Sequence, residues 1–238
     1  MYGYGLYGFY SPYGLLLLVA IILAMVSSYN VNRNFRKYSQ INNRTGMTGM
    51  QAARRILDVN GLSHIRIEPV GGDLTDHYDH RKEIIRLSEN VMNGKSISAV
   101  SIAAHEAGHA LQKQHGYVFF KFRDALATPV SFASRTAWIL IFVGFLLERS
   151  NSFTGSYIIL ELGIIMFAVT TLFHIVTLPV EIDASKRALV ELEKQGIIFR
   201  EEKSGVKKVL GAAAMTYVAA LAVSVIQLLR LLAIRGRN

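Results

Sequence analysis

The chain has 238 residues, 51% of them apolar, a formal net charge of +9 and no cysteine. The missing cysteines exclude disulfides and thiolate metal sites, so any metal must bind His, Asp or Glu. The basic excess lies beside apolar stretches, where it orients the chain and meets anionic headgroups. No nucleic-acid motif accompanies it, and the reading is no nucleic-acid partner.

Residues 1–13 alternate glycines with Tyr2, Tyr4, Tyr7, Phe9, Tyr10 and Tyr13. They suit an interfacial lead-in, since aromatic rings favour the membrane boundary. Four apolar stretches follow along the chain, at about residues 13–29, 130–147, 157–179 and 209–233. Each approaches the ~20 residues that cross a hydrocarbon core, which predicts an integral membrane protein with about four transmembrane helices. The first stretch reads as a retained span and not a cleaved signal, because basic residues follow it and none precede it. Arg33, Arg36, Lys37, Arg44, Arg54 and Arg55 come after the first span, and seven Lys or Arg from Lys186 to Lys208 precede the fourth. The loop between the second and third spans holds only Arg149. The positive-inside rule then places residues 32–128 and 181–208 in the cytoplasm. Arg235 and Arg237 at the outer end of the fourth span run against the rule; either they are tolerated or that segment does not fully cross.

The expected division is a lead-in and first span over 1–31 and a cytoplasmic part over 32–128. The second and third spans follow over 129–180, a cytoplasmic helix over 181–208, and the fourth span with its tail over 209–238. Residues 30–47 read as a polar juxtamembrane linker. Thr48 and Gln51 fit a capping box opening a helix that stops at Asn60-Gly61. Arg54 and Arg55 on it suit a solvated polar face. Residues 62–69 alternate Ile65 and Ile67 with Arg66 and Glu68, a strand; Gly71-Gly72-Asp73 is a turn, and residues 83–87 return, which predicts a short β-hairpin or small sheet. Between them lies Asp76-His77-Tyr78-Asp79-His80. Two His and two Asp admit a second metal site. Without a helix to aim the rings, a polar loop beside the active site is the better reading.

Ala103-Ala104-His105-Glu106-Ala107-Gly108-His109-Ala110 organises the rest of the chain. It carries His-Glu-x-x-His. Helical spacing puts His105 and His109 on one face, a turn apart, where both reach one metal ion. Glu106, one step round, can accept a proton from a water at the metal without being a ligand. Ser96 or Ser98 can cap this helix and His115-Gly116 ends it; the small residues Ala103, Ala107, Gly108 and Ala110 leave room for a substrate chain. Ionisable groups in so apolar a segment need a partner, and a divalent cation is one. A short edge strand beside such a helix can take up a substrate peptide as another strand, gaining affinity from the main chain without demanding a sequence.

Two His leave zinc one protein ligand short of a usual catalytic site. Glu181 lies just past the third span, on the same side of the membrane as His109, and fits the vacancy; Asp183 is the rival. The two point about 200° apart on a helix, so one faces the metal and the other orients a His or pairs with Lys186 or Arg187. His77, Tyr78 and His80 are the candidates for stabilising the oxyanion. Gly211-Ala212-Ala213-Ala214 opens the fourth span with small residues suited to close helix packing.

Several of these blocks together resemble the bacterial neutral zinc metallopeptidases of the YugP type. They are the Tyr/Gly lead-in and first span, Ala53-Arg54-Arg55-Ile56-Leu57, Asp76-His77-Tyr78-Asp79, the His105 to His109 segment through Gln112, and Leu178-Pro179-Val180-Glu181-Ile182-Asp183-Ala184-Ser185. The family's proline after Asp-His-Tyr-Asp is His80 here, which keeps the second-metal idea open. A more distant likeness is to HtpX-type membrane proteases, which pair His-Glu-x-x-His with a later Glu-x-x-x-Asp whose Glu is the third ligand. On this chain that Glu is Glu181, and Ser185 stands where the Asp would be.

The resemblance implies a zincin-like, gluzincin-type helical protease domain on a mainly α membrane protein of the bacterial plasma membrane. One zinc per chain, a cytoplasm-facing site and a role in membrane protein quality control are also implied. The expected activity is zinc-dependent endopeptidase action on protein or peptide substrates, with a homo-oligomer or a regulatory membrane partner open. A metal-binding membrane scaffold that cuts nothing is the alternative, and Glu106 counts against it, since a structural zinc needs no base. A transporter is third.

Overall fold

The computed structural model describes residues 12–150 and 156–235. It is mainly helical, with a small sheet, and four of its helices are long and apolar enough to cross a membrane. In chain order the elements are α1 (Pro12–Ser39), α2 (Gly49–Val59), β1 (Arg66–Val70), β2 (His77–Asp79), β3 (Ile84–Ser88), α3 (Glu89–Met92), α4 (Ile97–Gln114), α5 (Val118–Ser150), α6 (Ser156–Lys194) and α7 (Lys203–Arg235). The lead-in aromatics before Pro12, and Arg237, lie outside the described residues.

The contacts divide the chain into two compact units. The first comprises Met1–Met25, Phe122–Leu178 and Tyr217–Asn238, and holds most of the apolar helix length. Here α5 and α6 meet through glycine. A Cβ on Gly144 would lie 2.7 Å from the backbone of Leu160, and one on Gly163 would lie 2.8 Å from the backbone nitrogen of Ile141. Without side chains at these points the two backbones approach closely, which is how helices gain dispersion contact where lipid supplies no hydrophobic drive. On the fourth span Gly211 does not do this: nothing lies within 4 Å of a Cβ built on it. Thr171 and Ser224 share a buried hydroxyl hydrogen bond of 2.7 Å between α6 and α7. Arg235 at the end of α7 pairs with Glu161 near the start of α6 at 2.7 Å. The two helices therefore run antiparallel, and an acidic partner offsets the charge that had seemed misplaced.

The second unit comprises Val26–Lys121 and Pro179–Thr216. Its core joins Ala52, Ala53, Ile56 and Leu57 of α2, Ile85 and Leu87 of β3, Val100, Ala103, Ala104 and Ala107 of α4, and Ala188 and Leu192 of α6. The helix starts are local chemistry. Thr48 and Gln51 make the expected capping box on α2, and Ser96, not Ser98, caps α4 by accepting from the Ala99 N–H. Ser98 instead donates to the carbonyl of Phe35, tying α4 to the end of α1. Part of the expected linker is helix, because α1 continues to Ser39. Residues 181–194 are the end of α6, and residues 203–208 are the start of α7. Arg54 is not a free surface cation: it donates to the carbonyls of Leu62 and Ile65 and pins the chain between α2 and β1.

Of the hairpin or small sheet expected, the structure has the small sheet, three-stranded in the order β1-β3-β2. β1 and β3 pair in parallel, Arg66 opposite Ile84 through Val70 opposite Ser88, so they cannot be the two arms of a hairpin. The stretch expected as a polar loop supplies the third strand: β2 runs antiparallel to β3, with His77 opposite Arg86 and Asp79 opposite Ile84. β2 is an edge of the sheet, and it packs against α4.

Candidate metal centre

Helical spacing brings the two histidines of α4 together as the sequence predicts. Their rings stand 4.7 Å apart and nearly perpendicular, at 82°. Glu181 of α6 closes the group. Its Oε2 is 3.2 Å from Nε2 of His105 and 3.6 Å from Nε2 of His109. The three side chains offer ligand atoms that all lie within 4.8 Å of one another, and they could hold a metal ion. Tetrahedral zinc at ordinary bond lengths separates its ligands by about 3.3 Å. The His-to-Glu distances bracket that value, and two imidazoles with one carboxylate form a set that catalytic zinc accepts. The residues present fit the ion.

The site is buried: His109 is 6% exposed, Glu181 3% and Glu106 7%. Glu106 is not in the three-residue group. A close helix approach makes the geometry possible. A Cβ on Gly108 would lie 2.6 Å from the carbonyl oxygen of Ala184. Gly108 thus lets α4 press against the segment that carries Glu181. Ala103, Ala107 and Ala110 are at most 1% exposed and sit in the core. The small residues expected to make room for substrate instead serve helix packing.

Each histidine has a partner for its other nitrogen. Ser185 Oγ lies 3.2 Å from Nδ1 of His105, so the serine that replaces the acid of the related motif still reaches the ring. Gln112 Oε1 lies 3.0 Å from Nδ1 of His109. Asp183 turns away from the group: Arg187 Nε and Gln112 Nε2 both donate to its Oδ2, at 2.6 and 2.8 Å. Such outer partners fix ring orientation and the protonation of each nitrogen. Sequence reasoning assigned Gln112 no role. The available sign was an uncharged polar residue three positions after His109, on an otherwise apolar face.

The segment 76–80 does not gather into a second metal group; among the described residues only His105, His109 and Glu181 form a group of three or more that could hold a metal ion. Asp76 accepts from the backbone N–H of Ser88 at 2.7 Å and from its hydroxyl at 3.1 Å. Burial raises the Asp76 carboxyl above its ordinary value against the lowering effect of the Ser88 bonds, and the nearby Glu106 charge adds to the rise. Strand alternation sends His77 and Asp79 to the face shared with Arg86, where Asp79 pairs with Arg86 at 3.4 Å and Nδ1 of His77 lies 2.8 Å from the Thr75 carbonyl oxygen. Tyr78 points the other way, against the core. Burial, with the charges of Glu83 and Asp79, pushes its hydroxyl up to about 12. The ring of His80 meets Phe120 edge-on at 5.8 Å, and Phe120 in turn lies 6.4 Å from the ring of His109.

The comparisons with known proteins point to a zinc peptidase family. The family model described as "Putative neutral zinc metallopeptidase" matches residues 13–236. The "Putative membrane protease YugP" of Bacillus subtilis (strain 168) is 46% identical over 225 residues, 94% of this chain and 97% of that protein. No solved structure matches. With a family match that spans nearly the whole chain, and a relative aligned almost end to end, the chain belongs to the family described as "Putative neutral zinc metallopeptidase".

Proposed function

We propose that this membrane protein is a zinc-dependent endopeptidase whose metal is held by His105, His109 and Glu181. The single observation that carries the reading is the convergence of these three side chains, with His-to-Glu distances of 3.2 and 3.6 Å, next to a buried carboxylate that is not one of them. Zinc bound there would supply a Lewis acid, acidifying a water and polarising a scissile carbonyl. Glu106 accepts the water's proton and passes it to the departing amine. A carboxylate directly after the first His ligand suits that task, because it would stand beside a bound metal without being one of its three protein ligands.

Substrate binding fits the sheet. β2 is an edge strand against α4, so an extended peptide can add to it through main-chain hydrogen bonds. Such binding is tolerant of sequence and suits unfolded segments of membrane proteins, the substrates a quality-control protease meets. Tyr78 and His80 are the oxyanion donors favoured over His77, which is engaged on the other face of the strand. Tyr78 keeps its proton at any working pH, since its hydroxyl is pushed up to about 12. The proposed setting is the bacterial inner membrane, with the site facing the cytoplasm by the positive-inside rule.

The test is metal content beside hydrolysis of casein, in detergent, for wild type, Glu106→Gln and Glu181→Ala. The expected result is one zinc and cleavage in wild type, zinc without cleavage in Glu106→Gln, and loss of zinc in Glu181→Ala. Unchanged cleavage by Glu106→Gln removes Glu106 from the reaction. Wild type that binds zinc and cuts neither casein nor unfolded membrane proteins favours a scaffold.

A further inference from the structure

Gln112 is fully buried on α4, one turn beyond His109. Its Nε2 donates to the carbonyl of Val180 at 2.7 Å and to Oδ2 of Asp183 at 2.8 Å. Its Oε1 faces Nδ1 of His109 at 3.0 Å. The direction of that amide is fixed by what surrounds it. A peptide carbonyl has no proton to give. Asp183 is held as an acceptor by the guanidinium of Arg187, whose Nε lies 2.6 Å from the same oxygen. The end of Gln112 that meets these two acceptors must be its NH2 group. Turned the other way, the amide would set oxygen against two oxygens, both in contact. The end that meets His109 is therefore the carbonyl oxygen, and an oxygen of this kind can only accept. Nδ1 of His109 must carry the proton.

The consequence lies on the far side of the ring. With its proton on Nδ1, the neutral imidazole presents a lone pair at Nε2, the atom 3.6 Å from Oε2 of Glu181. Imidazole in water prefers the opposite tautomer, so the ring state is imposed by its surroundings. The order of imposition runs from Arg187 to Asp183, from Asp183 to Gln112, and from Gln112 to His109. The same amide ties α4 to the backbone of Val180, the residue immediately before Glu181.

We infer that Gln112 is the positioning residue of this site: it holds His109 as the Nδ1–H tautomer and locks that ring to the segment bearing Glu181. Asp183 and Arg187 act through it by fixing the direction of its amide. The purpose of this arrangement, presenting a metal ligand, rests on the zinc reading above; the ring state itself rests on the hydrogen bonds alone.

The ring state and the metal are tested separately. Full-length protein labelled with 15N-histidine, freed of zinc and held in detergent at a pH above the imidazole range, gives the protonation of both His109 nitrogens, with His109→Ala identifying the signals. The expected spectrum has the proton on Nδ1 in wild type and chiefly on Nε2 in Gln112→Met, which keeps the volume and removes the hydrogen bonds. Zinc affinity by chelator competition should fall about 10- to 100-fold in Gln112→Met. An Nε2–H ring in wild type overturns the inference, and that reading does not depend on whether the variant folds. So does a folded Gln112→Met with the wild-type ring state. A wild type that shows the Nδ1–H ring, lost in Gln112→Met, but binds no zinc would sink the metallopeptidase reading and leave this one standing.

Discussion

At the scale of single residues, the charges around the site are arranged by burial as much as by pairing. Asp76 illustrates the cost. Its carboxyl is raised by desolvation and by the charge of Glu106, while two hydrogen bonds from Ser88 oppose the rise. An acid raised on folding binds its proton more tightly in the folded chain than in the unfolded one. Its ionised form therefore costs stability above the folded value, and that cost disappears as pH falls until the group is protonated in both states. Asp76→Asn keeps an acceptor for the Ser88 N–H and removes the charge. The variant should melt higher than wild type at pH 7, and the gap should close toward pH 4, read by thermal unfolding of the zinc-free protein at several pH values. A gap that stays constant or widens on acidification would show that the buried charge is not what Asp76 costs.

At the scale of elements, the helices were far more legible than the sheet. His105 and His109 could be paired from spacing alone, because a helix repeats locally, and Thr48 and Gln51 announced α2 by the same local logic. A small sheet was legible but its pairing was not, because parallel pairing of Arg66–Val70 with Ile84–Ser88 joins strands that are separated by another strand, and no residue pattern encodes which neighbour a strand chooses. His77–Asp79 looked like a loop since three residues are too few for alternation to stand out. Gly108 was misjudged for a related reason: a small residue beside a metal site reads equally as space for substrate and as contact with another helix. The structure favours contact, with the Ala184 carbonyl oxygen 2.6 Å from where a Cβ would sit. Backbone cannot move aside as a side-chain tip can. Gly108→Ala should therefore lower stability by about 1–3 kcal/mol and weaken zinc retention by displacing the Glu181 segment, measured by unfolding and by metal content after dialysis. A variant with wild-type zinc content and melting would mean that α4 and α6 are free to separate there.

At the scale of the whole molecule, charge placement and helix direction both bear on sidedness. Arg235 meets Glu161, so the end of α7 and the start of α6 share one side of their unit. The start of α6 also adjoins α5 at Leu160 and Gly144. On the positive-inside reading proposed above, the basic residues from Lys186 to Lys208 would lie in the cytoplasm with the three ligand candidates, and the stretch between the second and third spans would lie outside. A chain with no native cysteine is already prepared for the test. Single cysteines at Ser39, Ser204 and Ser152, expressed in intact bacterial cells, report which side each occupies through a membrane-impermeant maleimide. Ser152→Cys should label in intact cells, while Ser39→Cys and Ser204→Cys should label only after the membrane is opened. The reverse pattern would turn the site outward and end the proposal that its substrates come from the cytoplasm. Labelling of Ser204→Cys together with Ser152→Cys would mean that α6 does not cross, and the ion pair between Glu161 and Arg235 would then need another explanation than two antiparallel spans.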